Sequence, residues 1–275
     1  LAIYDWCFLD EESFRRQLAY LKKHFEVVTL STAVEALRGG TLHRPTAVIT
    51  FDDGYQNNYS VAFPILRELG LPATIFITTG LVETGNTLWN LQLNQSLTNT
   101  KRAFLEWDGH RFDLTRPALK ALALFEIAGC LKDLPRSELQ LRLHEIIATL
   151  EDDLDKPIGV DSPFRMLRTD AIEEMAKSGL IEFGAHSHTH PVLSRLSPDE
   201  CRTEVELSIE GVRKLTGRPC ELFAYPFGGR QHYNNHTVNI LRELGIRAAV
   251  TTLTGPNDIN TPDLELRRYG AGADE

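Results

Sequence analysis

The sequence predicts an α/β fold in which about seven parallel strands form a closed or nearly closed barrel covered by helices. Short apolar runs rich in β-branched residues alternate with helical patterns. The end of a helix, a glycine, an apolar residue and a strand follow one another at Gly70-Leu71, Gly179-Leu180 and Gly245-Ile246. This order is typical of alternating helices and strands, whose connections produce a parallel sheet.

The first part of the chain contains the elements that lead to the first candidate site. Strands are predicted at 1–4, 26–30, 47–49 and 73–77, with helices at 11–24 and 32–39 and another that ends at residue 69. Thr32 and Glu35 predict a capping box at the start of the second helix. Gly39-Gly40 predicts where that helix ends.

Residues 85–165 interrupt the alternation and predict a helical insertion within a single domain that spans residues 1–275. Helical patterns occupy 117–132 and 137–150, whereas β-branched runs are few. The segment contains four large aromatic residues, Trp89, Phe104, Trp107 and Phe112. They could line a sugar site, although such residues more often pack an insertion onto its host.

The alternation resumes after the insertion and supplies the second half of the barrel. Strands are predicted at 180–185, 222–225, 248–251 and 264–267, with helices at 170–179 and 234–244 and one that starts at Ser197. Ser197 is a predicted N-cap, because Pro198 follows in the first turn and Glu200 occupies the third position.

The composition excludes some classes of function. Lys and Arg number 29 against 38 Asp and Glu, and the net charge of −9 argues against a nucleic-acid surface and a strongly anionic substrate. No apolar run is long enough to span a bilayer, and residues 1–8 show no features of a signal peptide. The four cysteines lack metal-binding spacing, so free thiols and a reducing compartment are expected.

Two adjacent carboxylates, Asp52 and Asp53, follow the predicted strand at 47–49, and Gly54 allows a sharp turn there. Because neighbouring carboxylates repel each other, they need a partner, and a metal ion is the candidate. The alternative is that both aspartates cap the next helix, since aspartate is a common N-cap. The doublet alone favours capping, so the choice depends on the rest of the chain.

His186, His188 and His190 follow the predicted strand at 180–185. Because the carboxyl ends of parallel strands share one rim of a barrel, they are expected near the aspartate pair and the turn after 222–225. His186 and His190 are four residues apart, which on a helical turn places both rings on one side. Two imidazoles and one carboxylate suit a divalent metal of the zinc type, and the second carboxylate can then accept a proton. The predicted reaction is metal-assisted hydrolysis of an amide or ester.

Two segments resemble motifs of one enzyme family. Thr50-Phe51-Asp52-Asp53-Gly54 resembles the first motif of the polysaccharide deacetylases with a NodB-homology domain, carbohydrate esterase family four. His186-Ser187-His188-Thr189-His190-Pro191 resembles their second motif, His-(Ser/Thr)-x-x-His, in the same order along the chain. The segments 14–18 and 223–226 resemble the branch of this family found in bacterial exopolysaccharide loci.

The resemblance implies a distorted (β/α) barrel with a metal centre. Asp52 would be the catalytic base, and Asp53, His186 and His190 would bind a divalent metal, with Zn²⁺ as the default. The substrate would be a neutral or weakly charged N-acetylated polysaccharide or oligosaccharide, and the products would be acetate and a free amine. The candidates for substrate contact, which adjoin the motifs, are Tyr55, Tyr225 and Pro226.

The third and fifth motifs depart from the family pattern. Ala224 stands where an arginine often holds the base, so no partner is predicted for Asp52. Phe227 stands where tyrosine is usual, yet its backbone N–H can donate to an oxyanion, because this role needs no side chain. The histidine that usually acts as general acid is missing before Arg267-Arg268. Asp5, at a position where some relatives have a histidine, is the candidate for the rim.

These departures leave two alternatives to the deacetylase. The chain could be a catalytically degenerate carbohydrate-binding module, or an amide hydrolase that acts on a small non-sugar N-acyl compound. The deacetylase is favoured because the base and all three ligands are present together. The resemblance implies a bacterial protein, and the lack of a visible signal peptide favours the cytoplasm over secretion.

Overall fold

The computed structural model describes residues 9–150, 162 and 164–272, so the strand predicted at 1–4 lies outside the described residues. The helices are α1 (Glu11–His24), α2 (Leu30–Gly39), α3 (Phe63–Leu69), α4 (Trp89–Asn99), α5 (Pro117–Lys132), α6 (Arg136–Thr149), α7 (Thr169–Lys177), α8 (Pro198–Thr216) and α9 (Asn235–Glu243). The strands are β1 (Glu26–Val27), β2 (Thr46–Ala47), β3 (Thr50–Phe51), β4 (Ala73–Ile77), β5 (Phe104–Trp107), β6 (His110–Asp113), β7 (Ile181–Ala185), β8 (Leu222–Ala224) and β9 (Ala248–Val250). No helix in this part of the chain is long and apolar enough to cross a membrane.

In the described residues, seven parallel strands in two sheets form the barrel wall. The larger sheet has the order β3-β4-β7-β8-β9, and every neighbouring pair in it is parallel. A second parallel pair, β1-β2, stands apart from this curled sheet. A parallel bridge between Val250 and Leu266 extends the larger sheet past β9. The predicted α/β fold, a distorted (β/α) barrel of about seven strands, is confirmed.

Both faces of the larger sheet are buried, as expected for parallel strands covered by helices. All five residues of β4 are buried. Because side chains alternate along a strand, Phe76 packs with Ala224 and Val250, whereas Ile75 and Ile77 pack in the larger core with the helices. Apolar packing on both faces therefore fixes the strands whose carboxyl ends form the site.

Helix boundaries follow local capping residues, and α1 begins and ends as predicted. The capping box predicted at Thr32 and Glu35 is wrong, because the N-cap of α2 is Thr29. Thr29 has an extended backbone, and its hydroxyl accepts a hydrogen bond from the Thr32 N–H. Ser197 and Glu200 form the capping box of α8, as predicted.

Three predicted strands differ from the structure. The strand predicted at 26–30 ends at Val27, and Leu30 begins α2. The strand predicted at 47–49 is divided between sheets: β2 pairs with β1, whereas the Ile49 carbonyl accepts a hydrogen bond from β4 before β3 begins. The segment pairs first with β1 and then with β4, so it does not form one continuous strand. The strand predicted at 264–267 is wrong, because Asp263–Glu265 is a 3₁₀ turn and Leu266 alone bridges to β9.

A second hydrophobic core lies in the segment between β4 and α7. It contains α4, the antiparallel hairpin β5-β6, α5 and α6. Its most buried residues include Leu93, Leu97, Ile127, Leu131 and Leu143.

Both predicted helices are confirmed, but the hairpin is missing from the prediction. Its signal is Asp108-Gly109, a two-residue turn with φ values of 51° and 74°. Trp89, Trp107 and Phe112 pack in this core, which supports the packing role for these three residues.

A methyl group at Gly184 is expected to destabilise the barrel. A Cβ there lies 2.6 Å from the Phe76 ring and 3.0 Å from the Leu222 carbonyl oxygen, and such overpacking costs about 1–3 kcal/mol. Urea unfolding of Gly184→Ala should show this loss. Gly129→Ala, at an open position on α5, is the matched control. It should raise the free energy of unfolding by about 0.5–1 kcal/mol or leave it unchanged. Equal stability of Gly184→Ala and the unaltered chain would contradict the tight packing.

Candidate metal centre and active site

The two aspartates lie at the carboxyl edge of the larger sheet, directly after β3. Asp53 and Gly54 have positive φ values of 70° and 82°, so the chain turns at once. The Gly54 N–H donates to the Asp52 carbonyl at 2.8 Å, and the Thr78 N–H donates to the Asp53 carbonyl at 3.1 Å. This turn directs the two carboxylates to different partners: Asp53 to two histidines and Asp52 to an arginine.

The loop 186–190 brings His186 and His190 together. The His186 N–H donates to the Ile77 carbonyl at 3.0 Å, which aligns the end of β7 with the end of β4. Ser187 and His190 each have a φ of 60°, and the His190 N–H donates to Ser187 Oγ at 2.9 Å. The loop is therefore a tight bend and not the predicted helical turn. The two rings still meet, with their centroids 5.0 Å apart.

Asp53, His186 and His190 form a cluster whose geometry fits a divalent cation. Asp53 Oδ1 lies 3.3 Å from Nε2 of each histidine. The three ligand atoms lie within 4.8 Å of one another, and both imidazoles are buried. Ligand atoms at zinc distances of about 2.0–2.1 Å, arranged tetrahedrally, are about 3.3 Å apart. A cation of this size can therefore contact all three side chains.

Hydrogen bonds and burial set the protonation of this cluster. His186 Nδ1 lies 2.7 Å from the Ala224 carbonyl oxygen, to which it donates, so Nε2 is left to face Asp53. Burial raises the pKa of Asp53, but hydrogen bonds from the two histidines outweigh it and hold this pKa well below its usual range. Burial lowers the pKa of His190, which favours the neutral, metal-binding form. Burial also acts on His186, but the two aspartates outweigh it and raise its pKa, so a cation competes with a proton there.

Arg268 binds the other carboxylate through a bidentate ion pair. Its Nη1 and Nη2 donate to Oδ1 and Oδ2 of Asp52 at 2.8 and 2.7 Å, which fixes the carboxylate plane. The guanidinium also donates to Thr50 Oγ1 at 3.1 Å and to the Thr251 carbonyl at 2.8 Å. Burial raises the pKa of Asp52, but the charge and hydrogen bonds of Arg268 outweigh it and hold this pKa below its usual value. Asp52 is therefore an oriented, ionised carboxylate.

The turn after β8 brings the Phe227 backbone to the same rim. Phe227 and Gly228 have φ values of 61° and 64°, and a side chain at Gly228 would lie 2.6 Å from the Thr252 backbone nitrogen. The Phe227 ring lies 4.8 Å from the His190 ring. The backbone N–H of Phe227 donates to no acceptor in the part of the chain that the structure describes. The turn therefore offers a hydrogen-bond donor beside the cluster.

A sequence profile described as polysaccharide deacetylase matches residues 39–123 and 140–249. The chain belongs to the polysaccharide deacetylase family. The matched residues include the aspartate pair, the histidine loop and the turn at Phe227. Arg268 lies beyond the matched residues.

Curated relatives from this family match part of this chain in sequence. It is similar to the poly-beta-1,6-N-acetyl-D-glucosamine N-deacetylase of Escherichia coli (strain K12), at 41% identity over 63 residues, which are 22% of this chain and 9% of that protein. It is also similar to the protein of the same name from Staphylococcus aureus (strain MSSA476), at 29% identity over 139 residues, which are 48% of each chain. The matches therefore span less than half of the length of each relative.

Solved structures show the same fold. Streptococcus pyogenes deacetylase PplD, in complex with acetate, superposes with a TM-score of 0.64 at 21% identity, over 97% of this chain and 83% of that one. IcaB from Ammonifex degensii superposes with a TM-score of 0.61, also at 21% identity, over 97% of this chain and 85% of that one. These likenesses support the distorted barrel described above.

Arg268 is a site residue that was not predicted from the sequence. Ala224 occupies the position of the usual arginine, so no partner was expected for Asp52, and the bidentate pair corrects that expectation. The Leu266 N–H donates to the Ala249 carbonyl at 2.9 Å, so the chain beyond it follows β9 to the rim. The available signal was the pair Arg267-Arg268 at the end of the last predicted strand.

The residues predicted to contact the substrate lie at different depths. The Tyr225 side chain is fully buried, its hydroxyl donates to a backbone carbonyl at 2.8 Å, and its ring stacks on Tyr233 at 4.1 Å. Tyr225 is therefore a core residue, which corrects its predicted role. Pro226 is also buried, whereas Tyr55 is partly exposed beside the Gly54 turn. Asp5 lies outside the described residues, and its role stays a prediction.

Arg268→Met is expected to raise the pKa of Asp52, because burial remains while the opposing charge is removed. A ¹³C NMR titration of the aspartate carboxyl groups measures this pKa directly. A carboxylate whose folded-state pKa is lowered stabilises the fold at pH values above its unfolded-state pKa. This stabilisation is lost as the pH falls through the folded-state pKa. The stability deficit of the variant should therefore be largest at neutral pH and shrink in acid.

Arg15→Met is the matched control, because Arg15 forms exposed ion pairs with Glu11 and Glu68. It should leave the Asp52 titration unchanged. An Asp52 pKa that is the same in both variants would show that Arg268 does not set its protonation.

Proposed function

We propose that this chain hydrolyses N-acetyl groups of an N-acetylhexosamine-containing polysaccharide in a metal-dependent reaction that releases acetate. One observation carries the proposal: the ionised, oriented carboxylate of Asp52 lies at the same rim as a cluster with metal-ligand spacing. Amide hydrolysis by water needs a base and a polarised carbonyl, and this rim has residues suited to both tasks. Membership of the polysaccharide deacetylase family supports the same reaction.

Asp53, His186 and His190 are the residues that would hold the metal. When bound, a divalent cation would polarise the acetyl carbonyl and lower the pKa of water. We propose zinc, because two imidazoles and one carboxylate at tetrahedral spacing match its preferred ligands and leave a position open. The Ala224 carbonyl would keep the His186 ring in the orientation that this contact needs.

In this proposal Asp52 accepts the proton of the attacking water. Arg268 uses one lone pair on each carboxylate oxygen, and the second lone pair of each accepts no hydrogen bond from the described residues. The lowered pKa keeps Asp52 ionised and able to act at neutral pH. The Phe227 N–H would donate to the oxygen on which negative charge develops during attack. Asp5, which lies outside the described residues, stays a candidate for a catalytic position at the rim.

The proposed substrate is a neutral or weakly charged polymer that contains N-acetylglucosamine. The relatives from Escherichia coli and Staphylococcus aureus are named for poly-beta-1,6-N-acetyl-D-glucosamine, which supports this choice. A net charge of −9 disfavours a strongly anionic polymer, because like charges repel as the chain approaches.

Asp52→Asn is expected to abolish acetate release while the protein still binds the metal. Asparagine cannot accept the proton, and loss of a general base lowers the rate about 10²–10⁴-fold. His186→Ala should lose the metal itself. Acetate assays on N-acetylglucosamine oligomers, together with metal analysis, separate the two effects. Asp108→Asn, at the exposed hairpin turn, is the control and should retain both properties. Full acetate release by Asp52→Asn would contradict the assigned base.

Removal of the metal by a chelator is expected to stop acetate release, and added Zn²⁺ or Co²⁺ should restore it. A panel of N-acetylglucosamine oligomers and small N-acyl compounds tests the substrate class, and turnover is expected with the oligomers. Oligomer binding without acetate release by the metal-loaded protein would instead indicate a degenerate carbohydrate-binding module. Turnover of small N-acyl compounds alone would indicate a non-sugar amide hydrolase.

A further inference from the structure

A buried carboxylate, Glu204 on α8, lies under the loop 186–190. Its side chain is 3% exposed. A buried charge is costly unless hydrogen bonds and an opposite charge compensate it. Glu204 is not one of the three candidate ligands Asp53, His186 and His190, so direct metal binding does not explain why this carboxylate is buried.

Four hydrogen bonds satisfy this carboxylate, and three of them come from the loop. Glu204 Oε2 accepts from the backbone N–H groups of His188 and Thr189, at 3.0 and 2.9 Å. Oε1 accepts from the Thr189 hydroxyl at 2.7 Å and from Arg136 Nη1 at 2.5 Å. Glu204 therefore binds the backbone of two of the three residues between His186 and His190.

The other side of the loop is held by the turn after β4. The Gly80 N–H donates to the His188 carbonyl at 2.7 Å, and Thr79 Oγ1 lies 3.0 Å from His188 Nδ1. A Cβ at Gly80 would be 2.5 Å from the His188 carbonyl oxygen, so the contact is close. The loop is thus clamped between this turn and Glu204.

This loop needs such support because its backbone is strained. Ser187 and His190 both have positive φ, which costs a non-glycine residue roughly 1–3 kcal/mol. The bend allows the two histidine rings to face Asp53 from one short segment. Without the hydrogen bonds to Glu204, two N–H groups at the centre of the bend lose their partners, and the loop can relax.

Arg136 connects this support to the segment between β4 and α7. It is the first residue of α6 and, within the described chain, the ion-pair partner of Glu204. Nearby, Asp133 pairs with Arg195, which follows the histidine loop. The second core therefore reaches the barrel where the loop is anchored.

We propose that Glu204 is a positioning residue that holds His186 and His190 in metal-binding geometry, and that Arg136 supplies its counter-charge. The inference rests on the proposed function, since it takes Asp53, His186 and His190 as metal ligands. Residues that orient metal ligands from behind typically change metal affinity about 10–100-fold when they are replaced.

Glu204→Gln tests the proposal with Co²⁺ as a spectroscopic probe. The amide NH₂ cannot accept a hydrogen bond, so the loop loses part of its anchor at nearly constant volume. We expect Co²⁺ to bind about 10–100-fold more weakly, with altered d–d absorption bands, while the metal-free melting temperature changes little. Glu206→Gln, at an exposed position on the same helix, should keep the affinity and the bands of the unaltered chain. Unchanged Co²⁺ affinity and bands in Glu204→Gln would overturn the proposal.

Arg136→Met provides the decisive variant if Glu204→Gln does not fold, because Arg136 is 43% exposed. Like Glu204→Gln, Arg136→Met should bind Co²⁺ more weakly than the unaltered chain. Arg136→Lys should retain most of the affinity. The control Arg142→Met, on the same helix, should bind Co²⁺ as the unaltered chain does. Equal Co²⁺ binding by Arg136→Met and the unaltered chain would overturn the role of Arg136.

These measurements separate the inference from the proposed function. If the unaltered chain binds Co²⁺ but releases no acetate from any oligomer, the proposed activity is wrong, and the Co²⁺ titrations still decide the role of Glu204. If His186→Ala binds Co²⁺ as well as the unaltered chain, the metal centre itself is wrong, and the inference falls with it.

Discussion

Two adjacent carboxylates at the end of a strand repel each other, and the site depends on giving each one its own partner. Asp52 pairs with the guanidinium of Arg268, and Asp53 contacts the imidazoles of His186 and His190. Arg268 also contacts Thr50 on β3 and the backbone just after β9, which are the two edge strands of the larger sheet. The ion pair therefore links the edges of the curled sheet at the same point where it orients a carboxylate.

Backbone strain is concentrated at this rim. Six non-glycine residues in the described chain have positive φ, and four of them surround the site: Asp53, Ser187, His190 and Phe227. Each such conformation is costly and persists only where the surrounding contacts enforce it. Here the enforcing contacts are the hydrogen bonds between strand ends, the Glu204 carboxylate and the close approach at Gly228. The rigid parallel sheet thus allows short, strained turns to present the polar groups.

The segment between β4 and α7 has its own core but touches the site at two places. Trp89 lies 6.3 Å from the Phe227 ring, and Lys132 Nζ lies 4.4 Å from the same ring. Arg136 pairs with Glu204 beneath the histidine loop. The barrel therefore supplies the polar groups of the rim, whereas this second core packs against the turn and the loop that carry them.

The sequence by itself determined the alternation of helices and strands, the position of Asp52 and Asp53 after a strand, and the spacing of His186 and His190. Each of these depends on neighbouring residues. Only the tertiary structure decided that Arg268 pairs with Asp52, 216 positions away, that Glu204 anchors the histidine loop, and that Tyr225 faces the core. Strand periodicity shows that adjacent side chains point to opposite faces, but not which face meets the rim. That choice, like the contact between distant chain segments, depends on how the sheet curls and closes.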